Sequence, residues 1–120
     1  AVDDGIIAPA ILSAQSLSLA EVAAARKDLQ AAAAGGSLTV EQMTSATFTV
    51  SNLGTVGVSR VQPLVIPPQA AILGVPARRR SGDITLCLAC DHRVTDGLPA
   101  SLFLRDLAEL LENPSWLRDA

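Results

Sequence analysis

The chain of 120 residues contains no tyrosine, two phenylalanines, one tryptophan, one methionine and a single histidine. With aromatics at 2% and hydrophobic residues at 49%, a core has to be assembled from Ala, Val, Leu and Ile. A chain of this length can bury enough surface to have one. Basic residues are also few, nine against twelve acidic ones, for a formal net charge of −3 and a sequence pI of about 4.9. That balance excludes the broad basic field of a nucleic-acid-binding face. No apolar run approaches the roughly 20 residues of a membrane-spanning helix. The opening Ala1-Val2-Asp3-Asp4 is acidic, carries no initiator Met and lacks the pattern of a secretory leader, so it reads as the truncated or processed start of a cytoplasmic protein.

Cysteine is limited to Cys87 and Cys90. Their C-x-x-C spacing lies inside the apolar run Ile84 to Cys90, where residues three apart on a strand point to opposite faces. A local disulfide is awkward there, and a zinc site would want four ligands with only His92 and Asp91 nearby. Two packed, reduced thiols and no metal are expected.

Gly5 to Leu12 reads as a strand broken by Pro9, hence an edge or irregular one. Ser18-Leu19-Ala20-Glu21 has the form of a capping box, and the helix it opens should run to about Ala34 and stop at Gly35-Gly36. Leu19, Val22, Ala23, Leu29 and Ala33 form its candidate buried stripe. Thr39 and Gln42 repeat the capping pattern for one further short turn. Thr47 to Asn52 alternates, with Thr47, Thr49 and Ser51 on one face and Phe48 and Val50 on the other. Val61 to Ile66 has extended character but contains Pro63, and Pro67-Pro68 forms a rigid turn. Ala70 to Val75 is a short buried strand. The one basic cluster, Arg78-Arg79-Arg80, lies between Pro76 and Gly82. It reads as a solvated hairpin tip or as a contact for an anionic ligand such as a nucleotide phosphate. Asp83 to Cys90 is the next strand, and a helix starts near Leu98-Pro99 and ends before Asn113-Pro114. Leu102, Phe103, Leu107, Leu110 and Leu111 are its expected packing residues. The element order expected is β-α-β-β-β-α.

The histidine stands in Asp91-His92-Arg93-Val94-Thr95-Asp96-Gly97, at the end of a strand and before a turn. A lone histidine is more often structural than catalytic. A strand end can, however, hold a side chain rigidly in a cleft, and an imidazole titrates near neutrality, where a general base contributes roughly 10²–10⁴-fold in rate. Asp96, four residues on, could orient His92, pair with an arginine or cap the last helix.

This run resembles the D-H-R-x-x-D-G signature of dihydrolipoamide acyltransferases, the core components of 2-oxo acid dehydrogenase complexes. Phe48-Thr49-Val50-Ser51-Asn52-Leu53-Gly54 resembles the family's F-T-[IV]-[ST]-N-L-G segment. Pro67-Pro68-Gln69-Ala70-Ala71-Ile72-Leu73-Gly74-Val75 resembles its P-P-Q-A-A-I-L-G-V segment. A shorter H-x-x-x-D-G occurs in chloramphenicol acetyltransferases and peptide-synthetase condensation domains. Ile66 departs from the family, which usually has Asn there.

The resemblance implies an α/β fold, a mixed sheet flanked by helices in a chloramphenicol-acetyltransferase-like two-layer sandwich with its N-terminal part missing. Residues 1–120 would form part of a catalytic domain, with no lipoyl domain and no peripheral-subunit-binding domain. It implies acyl transfer between dihydrolipoamide and coenzyme A, the lipoyl group being presented by a separate domain and no metal being used. His92 would be the general base, supported by Asp96, and Ser51 would stabilise the tetrahedral oxyanion, a donor of a kind worth about 3–4 kcal/mol of barrier. Thr49, Asn52 and Arg93 would contact substrate. The implied partners are two further copies in a homotrimer, possibly within a larger symmetric core, and the decarboxylase and dihydrolipoamide dehydrogenase components. His92 of one subunit would meet Ser51 of its neighbour. The alternative is a scaffold fragment that keeps the fold and trimer contacts without a complete channel.

Overall fold

The structure, a computed structural model, describes residue 5 and residues 7–118. The chain divides into two compact units, Ala1–Ala46 with Trp116–Ala120, and Thr47–Ser115.

The elements of the first unit are set by local signals. Helix α1 spans Leu19–Ala34, and Ser18 caps it. The Ser18 hydroxyl accepts from the Glu21 N–H at 3.3 Å, and the Glu21 carboxylate accepts from the Ser18 N–H at 2.7 Å. The helix ends at Gly35-Gly36, where Gly36 takes φ 67°, a left-handed conformation costly for any residue with a side chain. Helix α2, Val40–Thr44, opens with the same reciprocal cap between Thr39 and Gln42.

Two expectations fail in this unit. Among the described residues no strand runs from Gly5 to Leu12; residues 7–11 are irregular and Ala14–Ser16 is a 3₁₀ turn, while Ile6 lies outside the described residues. Pro9 has no N–H for a ladder, and the Ala10 N–H is instead given to the Gln42 carbonyl at 2.7 Å. On α1, Leu19 and Ala23 are exposed, and the covered stripe is Val22, Ala25, Leu29, Ala32 and Ala33, with Leu29 alone fully buried.

The second unit holds a three-stranded mixed sheet in the order β1-β2-β3: Phe48–Asn52, Ala71–Val75 and Cys87–Cys90. Strand β2 lies parallel to β1 and antiparallel to β3. It is the central strand and a continuous apolar run, and Ala71, Ile72 and Leu73 are buried. Each large side chain of this kind contributes about 1.5–3 kcal/mol on burial. Strand β3 is shorter than expected. Cys87 pairs with Gly74, and further pairing would soon reach Pro76, which has no donor. The segment 61–66 forms no strand and Pro67-Pro68 is a cis turn. A 3₁₀ turn, Gly54–Val56, follows β1. The observed order is therefore α-α-β-β-β-α.

Paired residues point to the same side of a sheet, so Phe48, Val50, Leu73, Leu88 and Cys90 share one face. Thr49, Ser51, Ile72, Gly74 and Cys87 share the other. Helix α3, Gly97–Glu112, lies on the first face, where the Phe48 and Phe103 rings meet with centroids 5.8 Å apart, a contact of about 0.5–1.5 kcal/mol beyond area burial. The second face is crossed by Val61 and Pro63, which pass directly over Gly74. Hence Thr49 and Ser51 are half-buried while Phe48 and Val50 are exposed, the reverse of what their polarity suggests. On α3 the covered side is Ala100, Leu104, Leu107 and Ala108; of the expected packing residues, Leu102, Phe103, Leu110 and Leu111 are exposed. Among the described residues no helix is long and apolar enough to cross a membrane.

Candidate active site

The turn that carries His92 is built by Asp91. Its N–H donates to the Ala70 carbonyl at 2.8 Å, which ties the turn to the sheet. Its carbonyl accepts from the N–H groups of Val94 at 2.9 Å and Thr95 at 3.1 Å. Its carboxylate accepts from the Arg93 N–H at 2.9 Å and from the Arg93 guanidinium, through Nη2 at 2.6 Å and through Nε. These bonds from Arg93 hold the Asp91 carboxyl at about 2, well below its ordinary value of 3.8.

His92 and Asp96 sit at the two ends of this turn. His92 Nδ1 lies 3.5 Å from Asp96 Oδ1, and the two side chains are 86% and 79% exposed. Asp96 occupies the cap position of α3 but makes no side-chain cap bond. Of the three positions open to it, its carboxylate stands beside His92. A carboxylate at Nδ1 favours the tautomer with its proton there, which leaves Nε2 free to accept one.

Below the ring lies an open cavity of about 280 Å³ whose lining includes Leu88, Cys90, His92, Asp96, Ala100 and Leu104. Strand β3 and helix α3 thus form its walls. Both thiols are free; Cys90 faces this cavity, and Cys87 belongs to the opposite face of the sheet. Among the described residues no group of three or more His, Cys, Asp or Glu could hold a metal ion.

Ser51 is elsewhere. It pairs with Gly74, which pairs with Cys87, whereas His92 follows Cys90 at the other end of β3. Two strand spacings of about 4.8 Å and five residues of about 3.3 Å put roughly 19 Å between them within one chain. The Ser51 hydroxyl makes no hydrogen bond among the described residues. Its neighbours are engaged. The Thr49 hydroxyl donates to the Gln69 side-chain carbonyl, Asn52 Oδ1 accepts from the Gly54 N–H at 2.9 Å, and Arg93 is held by Asp91. Gln69 and Asp91 were not singled out as functional from the sequence. The signal was their place beside the Pro67-Pro68 turn and at the head of the histidine motif.

The sequence model of the family "2-oxoacid dehydrogenases acyltransferase (catalytic domain)" matches residues 1–118. The chain belongs to this acyltransferase family. It is 37% identical to the dihydrolipoyllysine-residue succinyltransferase component of the 2-oxoglutarate dehydrogenase complex of Azotobacter vinelandii, over 96% of this chain and 32% of that protein. It is 38% identical to the dihydrolipoyllysine-residue acetyltransferase component of the pyruvate dehydrogenase complex of Mycoplasma capricolum, over 95% of this chain and 28% of that protein. Among solved structures, the truncated catalytic core of the 2-oxoacid dehydrogenase multienzyme complex from Thermoplasma acidophilum superposes with a TM-score of 0.83 at 34% identity. That match covers 94% of this chain and 54% of the solved one. The dihydrolipoamide acetyltransferase of Azotobacter vinelandii superposes with a TM-score of 0.79 at 32% identity, over 91% of this chain and 49% of that one. The chain thus spans about a third of its curated relatives and about half of the solved cores. It has the chloramphenicol-acetyltransferase-like α/β fold of those cores.

Proposed function

We propose that this acyltransferase chain moves an acyl group between dihydrolipoamide and coenzyme A. The observation that carries the reading is the His92–Asp96 pair, 3.5 Å apart and open to solvent above a cavity, at the end of a strand fixed by its neighbours. Only a few per cent of a free thiol of pKa about 8.5 is ionised at pH 7. His92 Nε2 takes the proton of the attacking thiol as its sulfur adds to the thioester carbonyl. The tetrahedral oxyanion accepts a hydrogen bond from the Ser51 hydroxyl. The carbon–sulfur bond to the first carrier then breaks, and the imidazolium returns the proton to the departing sulfur. Asp96 steadies the imidazolium. No acyl-enzyme forms.

Because Ser51 is about 19 Å from His92 along the sheet of one chain, the two meet only across subunits. We therefore place the site between copies in a trimer, itself part of a larger symmetric core that carries the decarboxylase and dehydrogenase components. Exposed Phe48, Val50 and Phe103 suit such burial. Arg93 keeps the histidine turn in shape, and Thr49 and Asn52 keep the Ser51 strand in register; substrate contact falls to what those side chains leave free. The test is coenzyme A-dependent acyl transfer by the purified chain, compared with His92→Ala. Transfer that is absent from the parent chain, or equal in the two, rejects the reading. The distance between Ser51 and His92 within one chain favours a second reading, a scaffold that assembles without catalysing. A symmetric particle inactive with every acyl donor would establish it.

A further inference from the structure

The Ser51 strand and the His92 turn are both tied to one short stretch, Gln69-Ala70, just past the Pro67-Pro68 turn. The Gln69 N–H donates to the Ile66 carbonyl at 3.0 Å and closes that turn. The Ala70 N–H donates to the Thr47 carbonyl at 2.8 Å, at the start of β1. The Ala70 carbonyl accepts from the Asp91 N–H at 2.8 Å, at the head of the His92 turn. The Gln69 side chain adds a further link. Its carbonyl oxygen accepts from the Thr49 hydroxyl, which joins β1 to a residue 20 positions further along the chain, and both residues are half-buried.

Strand β1 stands at the edge of the three-stranded sheet and, among the described residues, pairs with β2 alone. An edge strand is held by one ladder only, and just past Asn52 this one gives way to the Gly54–Val56 turn. The Ser51 hydroxyl makes no hydrogen bond among the described residues, so its direction is set by the strand backbone. Side chains two apart on a strand share a face, which puts Thr49 roughly 7 Å from Ser51 on the same side. A donor aimed at a developing oxyanion works only when held close to its productive geometry, and a misplacement of about 1 Å can cost about 10²-fold in rate. We propose that Gln69 is a positioning residue of the acyl-transfer site: through the Thr49 hydroxyl it fixes the part of β1 that aims Ser51. Through Ala70 the same stretch refers the His92 turn to the sheet. Each copy thus carries its serine and its histidine on one anchor, although the two serve sites shared with different neighbours. The inference rests on the acyl-transfer reading above, with Ser51 as the oxyanion donor, and adds to it the residue that keeps that donor aimed.

Acyl transfer to coenzyme A is measured for the assembled protein and for Gln69→Leu, a side chain of similar size that accepts no hydrogen bond. In the variant kcat falls about tenfold while KM for both substrates stays at the parent value, as for an interaction realised only in the transition state. Thr49→Val breaks the same bond from its other end and gives the same loss, whether or not Gln69→Leu folds. Thr49→Ser keeps the donor and restores most of the rate. In the Ser51→Ala background Gln69→Leu lowers kcat no further, because the group it positions is gone. A merely structural role would lower kcat by the same factor in both backgrounds. Equal factors, or a kcat untouched by Gln69→Leu and Thr49→Val, overturn the inference and leave the acyl-transfer reading standing. A Thr49→Ser variant as slow as Thr49→Val overturns it too. A parent protein that transfers no acyl group, or one indifferent to Ser51→Ala, rejects the reading itself and the inference with it.

Discussion

Ser51 and His92 stand at opposite ends of the same small sheet, Ser51 in the row of Gly74 and Cys87, His92 beyond the row of Ala71 and Cys90. A rigid ladder does not let them approach, so an oxyanion donor and a base drawn from these two residues must come from different copies. This yields a test by mixing. His92→Ala and Ser51→Ala chains are each nearly inactive alone. Co-assembled in equal amounts, they regain about a quarter of the parent activity, because a site needs an intact histidine from one copy and an intact serine from the next in a cyclic assembly. A mixture as inactive as its components would rule out sharing between subunits.

Replacement of His92 removes the proposed base without touching the turn, since the ring is exposed and, among the described residues, its one close charged partner is Asp96. His92→Ala lowers kcat by roughly 10²–10⁴-fold and leaves the melting temperature unchanged. Steady-state acyl transfer and thermal unfolding of the same preparation check both halves. An equal loss of stability would mean that the histidine is structural.

Gly74 is where the sheet and its covering segment come closest. A Cβ there would lie 2.9 Å from Val61 Cγ1 and 3.1 Å from Pro63 Cδ. Gly74→Ala therefore destabilises the fold by about 1–3 kcal/mol through overpacking. Val61→Ala, which opens space at the same point, costs less in the Gly74→Ala background than alone. Denaturant midpoints of the four species measure the coupling.

Features written in short stretches of sequence were legible. The caps at Ser18 and Thr39 need only residues three apart, and β2 shows itself as an apolar run between turns. The histidine motif likewise lies in one turn, so its strand-end position could be read directly. What depends on distant chain could not be. The covered side of α3 is chosen by where β3 runs, which favours Leu104 over Leu111. The half-burial of Ser51 depends on Val61 crossing the sheet, and β3 stops short because Pro76 ends its partner. That Asp91, more than Asp96, organises the turn rests on five donors converging on one residue.

The acid limb of stability follows from that convergence. Asp91 has its carboxyl at about 2 in the folded chain and near 3.8 when unpaired. A depressed value means that the folded state holds its proton less tightly, so the interaction stabilises fully above pH 4 and is lost as pH falls from about 4 towards 2. The carboxyl resonance of Asp91 should titrate near 2, and Asp91→Asn should flatten the loss of stability over that interval. The amide can still accept one of these hydrogen bonds but offers Arg93 no charge, so the turn loosens while the sheet remains. The expected consequence is a lower kcat at neutral pH in a chain that stays folded. A resonance with an ordinary midpoint would show that Arg93 does not hold Asp91 in solution, and the rigidity attributed to the His92 turn would have to come from the backbone bonds alone.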